Sequence, residues 1–153
     1  MVQKTKLAIL GKLPTKFKAP FDNLDYDIWA FNIHKDEGRI KRVDLWADIH
    51  SKGINPKATL TRDNFPFDEC VELLSGNYFN NTASYLIAFA ILKGYKKIEL
   101  YGMRFNGADE KRKKEYANVR ELIFFARGKG IDISAPYDPD LFEQYALYGV
   151  KPR

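Results

Sequence analysis

The chain is poor in the residues that most often announce chemistry: it has one cysteine, Cys70, and only two histidines, His34 and His50, among 153 residues. One cysteine excludes an intramolecular disulfide, and no CxxC pair or Cys/His cluster offers the spacing of a zinc site. The lack of a disulfide framework fits a reducing compartment, so a cytoplasmic protein is expected. Long hydrophobic runs are missing too. At the N-terminus only the short apolar stretch Leu7–Leu10 occurs, which reads as a strand rather than a secretory signal. Nothing later approaches the roughly 20 apolar residues a membrane span requires. Neither GxGxxG nor a Walker sequence is present, and there is no internal repeat, low-complexity segment or linker.

What is present suits one domain with a substantial core, since 45% of the residues are apolar and 14% aromatic. The net charge of +5 is mildly basic. It permits a phosphate or nucleic-acid partner without demanding one.

The most regular stretch runs from Gly76 to Phe105. Asn80, Asn81 and Thr82 are helix-capping residues, and a nearly all-apolar helix follows to Leu92, where Gly94 stops it. Lys96–Tyr101 then reads as a strand ended by Gly102, a residue at ease with positive φ. A helix apolar on all sides is buried. Its start offers free N–H donors and the positive end of the dipole, so Asn80, Asn81 and Thr82 form either an ordinary cap or an anion seat.

Further strands are expected at Lys6–Leu10, Asp27–Asn32, Val43–His50 and Ile131–Ala135, and the stretch from Ser51 to Phe67 reads as loop. The turn Gly11-Lys12-Leu13-Pro14-Thr15 after the first strand reads as an ordinary connection with a solvent-facing lysine, or as a close backbone approach where Lys12 and Thr15 meet a phosphate. Asn32 ends the second strand. In the third, Val43, Leu45, Ala47 and Ile49 alternate with Asp44, Trp46, Asp48 and His50. That polar side faces water at a sheet edge, or else Asp48 and His50 share a crevice as an acid/base pair. His34 reads as an incidental loop residue and Cys70 as a small packed apolar side chain in a short helix, Phe67–Ser75. Asp109–Lys129 is a long helix with Tyr116, Val119, Leu122, Ile123 and Ala126 on its inner face. The cations Lys111, Arg112, Lys113 and Lys114 crowd its first turns, as a solvated face or a nucleic-acid footprint. Their place at a helix start, where cations oppose the dipole, argues mildly for a functional reason. A last short helix or turn, Asp138–Tyr148, is expected to return Leu141, Phe142 and Leu147 to the core.

About five short strands separated by helices and loops predict an α/β, Rossmann-like three-layer domain with a mainly parallel sheet. Ligands of such sheets bind outside the strand C-termini. Those ends carry Gly11, Lys12, Thr15, Asn32, Asp48, His50, Gly102 and Arg104, with Asn80, Asn81 and Thr82 facing the same rim. This set suits a nucleotide or another phosphorylated small molecule, with Lys12 and Arg104 for charge. Trp29, Trp46 or Tyr78 could stack on a base, or simply pack.

The series LAILGKLPT, APFDNLDYDIWAFN, DLWADIH, NYFNNTASYLIAFAILKGYKKIELYGM, EYANVRELIFFARGKGIDISAP and LYG resembles a group of small Rossmann-like proteins encoded by tailed phages and prophages. More distantly, the glycine turn and the capped helix before GYKKIELYG are similar to the 6-hydroxymethylpterin diphosphokinase-like family and to bacterial sialyltransferases. The resemblance implies transfer chemistry on diphosphate or nucleotide-activated substrates. Lys12, Leu13 and Thr15 depart from a glycine- and serine-rich first turn. Arg104 stands where a carboxylate would be expected, which leaves Asp48 as the acid that could serve Mg²⁺. The expected function is nucleotide or phosphometabolite binding, with transfer or hydrolysis by His50 as general base oriented by Asp48. The alternatives are a non-catalytic binder, as a sponge for a nucleotide signal or a host-protein module, and nucleic-acid binding through Lys111–Lys114.

Overall fold

A computed structural model describes residues 3–32, 37–103, 109–138, 141–142 and 147–150. Six strands form one sheet: β1 Lys6–Leu10, β2 Tyr26–Phe31, β3 Leu45–Asp48, β4 Leu60–Thr61, β5 Lys97–Tyr101 and β6 Asp132–Ser134. Their order is β4-β3-β2-β1-β5-β6 and every pairing is parallel. The chain begins at β1, steps outward to β4, then returns past β1 to lay down β5 and β6. This is a Rossmann-like α/β fold.

Alternation along the strands splits the core in two. Leu7, Ile9, Trp29, Phe31, Ala47, Ile98, Leu100 and Ile133 face three helices, α1 Phe67–Leu74, α2 Thr82–Leu92 and α3 Glu110–Gly128. Their neighbours Ala8, Leu10, Ile28, Ala30 and Tyr101 face the other way. That side is roofed by Ala19 and Phe21, which follow a 3-10 helix at Pro14–Lys18, and by Ile40 and Val43. Right-handed crossovers produce this division, because connections running toward β4 and those running toward β6 must fall on opposite faces.

Helix α2 is the central packing element. Seven of its residues, including Leu86, Ile87 and Phe89, are buried, and Trp29 lies between Phe89, stacked at 5.3 Å, and the edge of Tyr95, also at 5.3 Å. The Asn81 carboxamide oxygen caps it by accepting the Ser84 N–H at 3.0 Å. Gly94 at φ 86° ends it while the Tyr95 N–H reaches back to the Ala90 carbonyl. Cys70 is fully buried in the same cluster, and burial, with the Glu69 charge second, pushes its thiol up to about 11.

Three local expectations are corrected. The stretch expected as loop, Ser51–Phe67, contains β4, a strand of two residues and too short to leave a periodic signal. β3 covers only Leu45–Asp48, so Val43 lies before the alternation begins and packs on the opposite face from Leu45 and Ala47. Leu141 and Phe142 join the core, whereas Leu147 is 74% exposed. The rest of the expected last helix falls largely on residues 139–140 and 143–146, outside the described residues, as does His34.

Candidate functional site

Beyond the C-terminal ends of β2 and β3 lies a crevice of about 500 Å³. Its sheet wall carries Phe31, Asn32, Ile49 and His50. Its helix wall carries residues from Phe79 to Ala83 and Tyr85 at the start of α2, together with Lys111, Arg112 and Glu115 from the first turns of α3.

His50 follows the last residue of β3 by two positions, and its Nδ1 lies 2.6 Å from Asp48 Oδ1. The aspartate side chain is 1% exposed and the histidine 45%, so a buried carboxylate supports an accessible ring. Burial alone would raise the Asp48 pKa. Hydrogen bonds outweigh it: His50 on one oxygen, and the N–H groups of Asn55 at 2.8 Å and Ile54 at 2.5 Å on the other, hold the carboxyl below its usual range. An ionised carboxylate only accepts, so the neutral imidazole carries its proton on Nδ1. Nε2 is then the proton-accepting atom.

The support behind this pair comes from a loop the sequence concealed. The Asn55 side chain donates to the Asn32 carbonyl at 2.8 Å while its backbone N–H serves Asp48. One buried residue therefore ties together the ends of β2 and β3. Its only sequence mark is the Asn55-Pro56 dipeptide, a turn former.

Asn118 does the same on the helix wall. Its carboxamide oxygen accepts from the Asn80 N–H at 3.1 Å and from Asn81 Nδ2 at 3.3 Å, and its Nδ2 donates to the Tyr78 carbonyl. Asn80 and Asn81 also donate to the Lys114 and Glu115 carbonyls. The starts of α2 and α3 are thus joined. The backbone N–H groups of Thr82 and Ala83 have no acceptor among the described residues, as expected for the first positions of a helix. Asp109 caps α3 by accepting the Arg112 N–H at 2.8 Å. Arg112 leans toward Glu115 at 3.6 Å, and Lys111 has no ion-pair partner among the described residues. The cations read as a solvated face or nucleic-acid footprint therefore include two that line the crevice. Their placement at a helix start was the signal.

Asn32, His50, Asn80, Asn81 and Thr82 line this crevice, with Asp48 directly behind. Four other candidates gather elsewhere. The Gly11 N–H donates to the Tyr101 carbonyl at 2.7 Å, and a Cβ on Gly11 would lie 2.4 Å from the Gly102 oxygen. Gly102 sits at φ 70°, pressed against Leu13 and Gly11. The Thr15 hydroxyl accepts the Gly102 N–H at 2.8 Å and donates to the buried Asp138 at 2.9 Å. The close backbone approach at this turn is protein on protein. Lys12 is exposed at its edge, and its carbonyl accepts from the buried Lys16 at 3.1 Å. Arg104 lies outside the described residues.

Trp29 is buried between Phe89 and Tyr95 and does not line the crevice, while Tyr78 is 56% exposed outside it. Asp48, the acid left for Mg²⁺, has both oxygens engaged by N–H donors. Among the described residues no three His, Cys, Asp or Glu side chains gather to hold a metal ion, and no helix is long and apolar enough to cross a membrane.

No protein-family model matches this chain, and no curated protein matches it significantly. Among solved structures it is similar to the sialyltransferase CstII from Campylobacter jejuni in complex with a substrate analogue, cytidine-5'-monophosphate. The two are 14% identical, and the match covers 95% of this chain and 90% of that one with a TM-score of 0.47.

Proposed function

We propose that the crevice binds a nucleotide or another phosphorylated small molecule and that His50 catalyses its transfer or hydrolysis as a general base. The observation that carries this reading is the 2.6 Å contact between a buried Asp48 and a half-exposed His50 at the wall of a cavity of ligand size. The phosphate is held on the helix wall, where the Thr82 and Ala83 N–H groups, Lys111 and Arg112 supply donors and positive charge. A water or acceptor hydroxyl hydrogen-bonds to His50 Nε2. As its oxygen attacks the substrate, its proton passes to Nε2 and the bond to the leaving group breaks. Asp48 stabilises the imidazolium that forms and holds Nε2 toward the crevice.

The resemblance to phage-encoded proteins and the unpaired Cys70 extend the proposal to a reducing host cytoplasm.

The test is a thermal-shift screen of the protein against nucleoside mono-, di- and triphosphates, nucleotide sugars, pterins and cyclic dinucleotides, with and without Mg²⁺, followed by analysis of the recovered ligand. Ligand at about 100 times Kd adds roughly 2.7 kcal/mol, a rise of a few degrees for a domain of this size. A chemically altered ligand, with turnover lost but binding kept in His50→Ala, is the expected result. An unaltered ligand points to a non-catalytic binder, and a flat screen overturns the proposal.

A further inference from the structure

Asn32 brings to the crevice a side-chain oxygen, Oδ1, that is shut off from solvent and has no hydrogen-bond partner among the described residues. The other buried or half-buried asparagines, Asn55, Asn81 and Asn118, all have bonded carboxamides. Buried polar groups without partners are rare and costly. The backbone is also unusual, because Asn32 sits at φ 63°, in the left-handed region. It is held there by its N–H to the Ala47 carbonyl at 3.0 Å and by Asn55 on its own carbonyl. Asn55 in turn bonds Asp48, which bonds His50. A locally unfavourable residue is thus fixed by the same hydrogen-bond chain that fixes the reactive histidine.

We infer that the Asn32 carboxamide binds the vicinal hydroxyls of a ribose-bearing phosphate ligand and sets that sugar beside His50. This rests on the reading of the crevice given above. A carboxamide offers a donor and an acceptor side by side, and each hydroxyl of a cis-diol can both donate and accept, so the pair matches in two bonds. The geometry favours the sugar over the phosphate for this residue, because the cations and free N–H groups lie on the opposite, helix wall. The two-bond match requires χ2 to turn so that both carboxamide atoms meet the crevice, a turn opposed by no side-chain hydrogen bond of Asn32 among the described residues. Ligand binding then satisfies an atom that the free protein leaves orphaned.

The experiment compares ribonucleoside 5′-monophosphates with their 2′-deoxy counterparts by calorimetry, on the wild type and on Asn32→Gly, with the melting temperature of each free protein measured alongside. Glycine suits the positive φ and removes the orphaned oxygen, so the variant should melt at or above the wild-type temperature. The wild type should prefer the ribonucleotide by about tenfold, and Asn32→Gly should bind both forms equally weakly. Equal wild-type affinity for the two forms, or a preference that survives in Asn32→Gly, overturns the inference and leaves the crevice reading standing. No binding of either form to the wild type overturns the inference, whereas only a flat result across the wider ligand screen overturns the crevice reading.

Discussion

Asp48 Oδ1 and His50 Nδ1 lie 2.6 Å apart, with the carboxylate buried and the imidazole open to a crevice. Asp48→Asn keeps the shape but removes the charge and lets an amide N–H face Nδ1, which favours the wrong tautomer. Turnover is expected to fall by about 10²–10⁴-fold with ligand affinity little changed. The fold should lose about 1–3 kcal/mol, because the Ile54 and Asn55 N–H groups lose a charged acceptor. Turnover equal to wild type in a folded variant would remove Asp48 from the mechanism.

The same aspartate makes stability depend on acid. Its folded-state pKa lies below the ordinary 3.8, so the native protein binds its proton less readily than the unfolded chain does. Its contribution is therefore fully present above that unfolded value and is lost as pH falls through the lower, folded value. Urea midpoints measured from pH 6 downward should fall more steeply below about pH 4 in the wild type than in Asp48→Asn.

Asn118→Ala tests the joint between the two helix starts. The substitution leaves the Tyr78 carbonyl, the Asn80 N–H and the Asn81 amide without their shared partner. A loss of about 2–3 kcal/mol by denaturant unfolding is expected, together with weaker phosphate-ligand binding as the Thr82 and Ala83 N–H groups lose alignment with Lys111 and Arg112. Asn118 is not part of the crevice lining, so weaker binding in a folded variant separates positioning from simple loss of stability.

The elements that were legible in the sequence share a physical cause. Periodicity and caps are local, so α2 with Asn81, α3 with its inner face from Tyr116 to Ala126, and the apolar strands β1, β2 and β5 stand close to their expected bounds. The Asp48–His50 contact was also local, two residues apart. What escaped depends on contacts between distant segments. Asn55 reaches back to Asn32, and Asn118 reaches across to Tyr78 and Asn80, and neither partner can be read from spacing. Thr15 and Gly102 illustrate the converse: residue types suited to phosphate are held here by Asp138, which lies 123 residues along the chain from Thr15.

Gly11 and Gly102 make a prediction about the turn region independent of any ligand. A methyl group on Gly11 would stand 2.4 Å from the Gly102 carbonyl oxygen, a contact with backbone that no rotamer relieves. Gly102 has φ 70° in addition, and a Cβ there would meet the Leu13 carbonyl at 2.8 Å. Each alanine variant is expected to lose about 3 kcal/mol or more and to accumulate as unfolded protein. Gly94→Ala is the control, since its φ of 86° is strained but its space is open, and it should cost only about 1 kcal/mol.

Two of the buried tyrosines make the stability of the fold depend on alkaline pH. The hydroxyls of Tyr26 and Tyr101 both donate to Glu99 inside the second core cluster. Burial first, and the Glu99 hydrogen bond and charge next, push Tyr26 up to about 12 from 10.0 and push Tyr101 further in the same direction. Groups raised in the folded state contribute stability that is complete below the unfolded value of 10 and declines as pH rises through the folded values. Tyrosinate absorbance followed against pH tests this. The Glu99 pair should appear only with the loss of circular dichroism that marks unfolding. In Glu99→Gln the raising charge is gone, and Tyr26 should ionise at lower pH while the fold is intact. Simultaneous ionisation of all tyrosines in the folded wild type would contradict the buried arrangement.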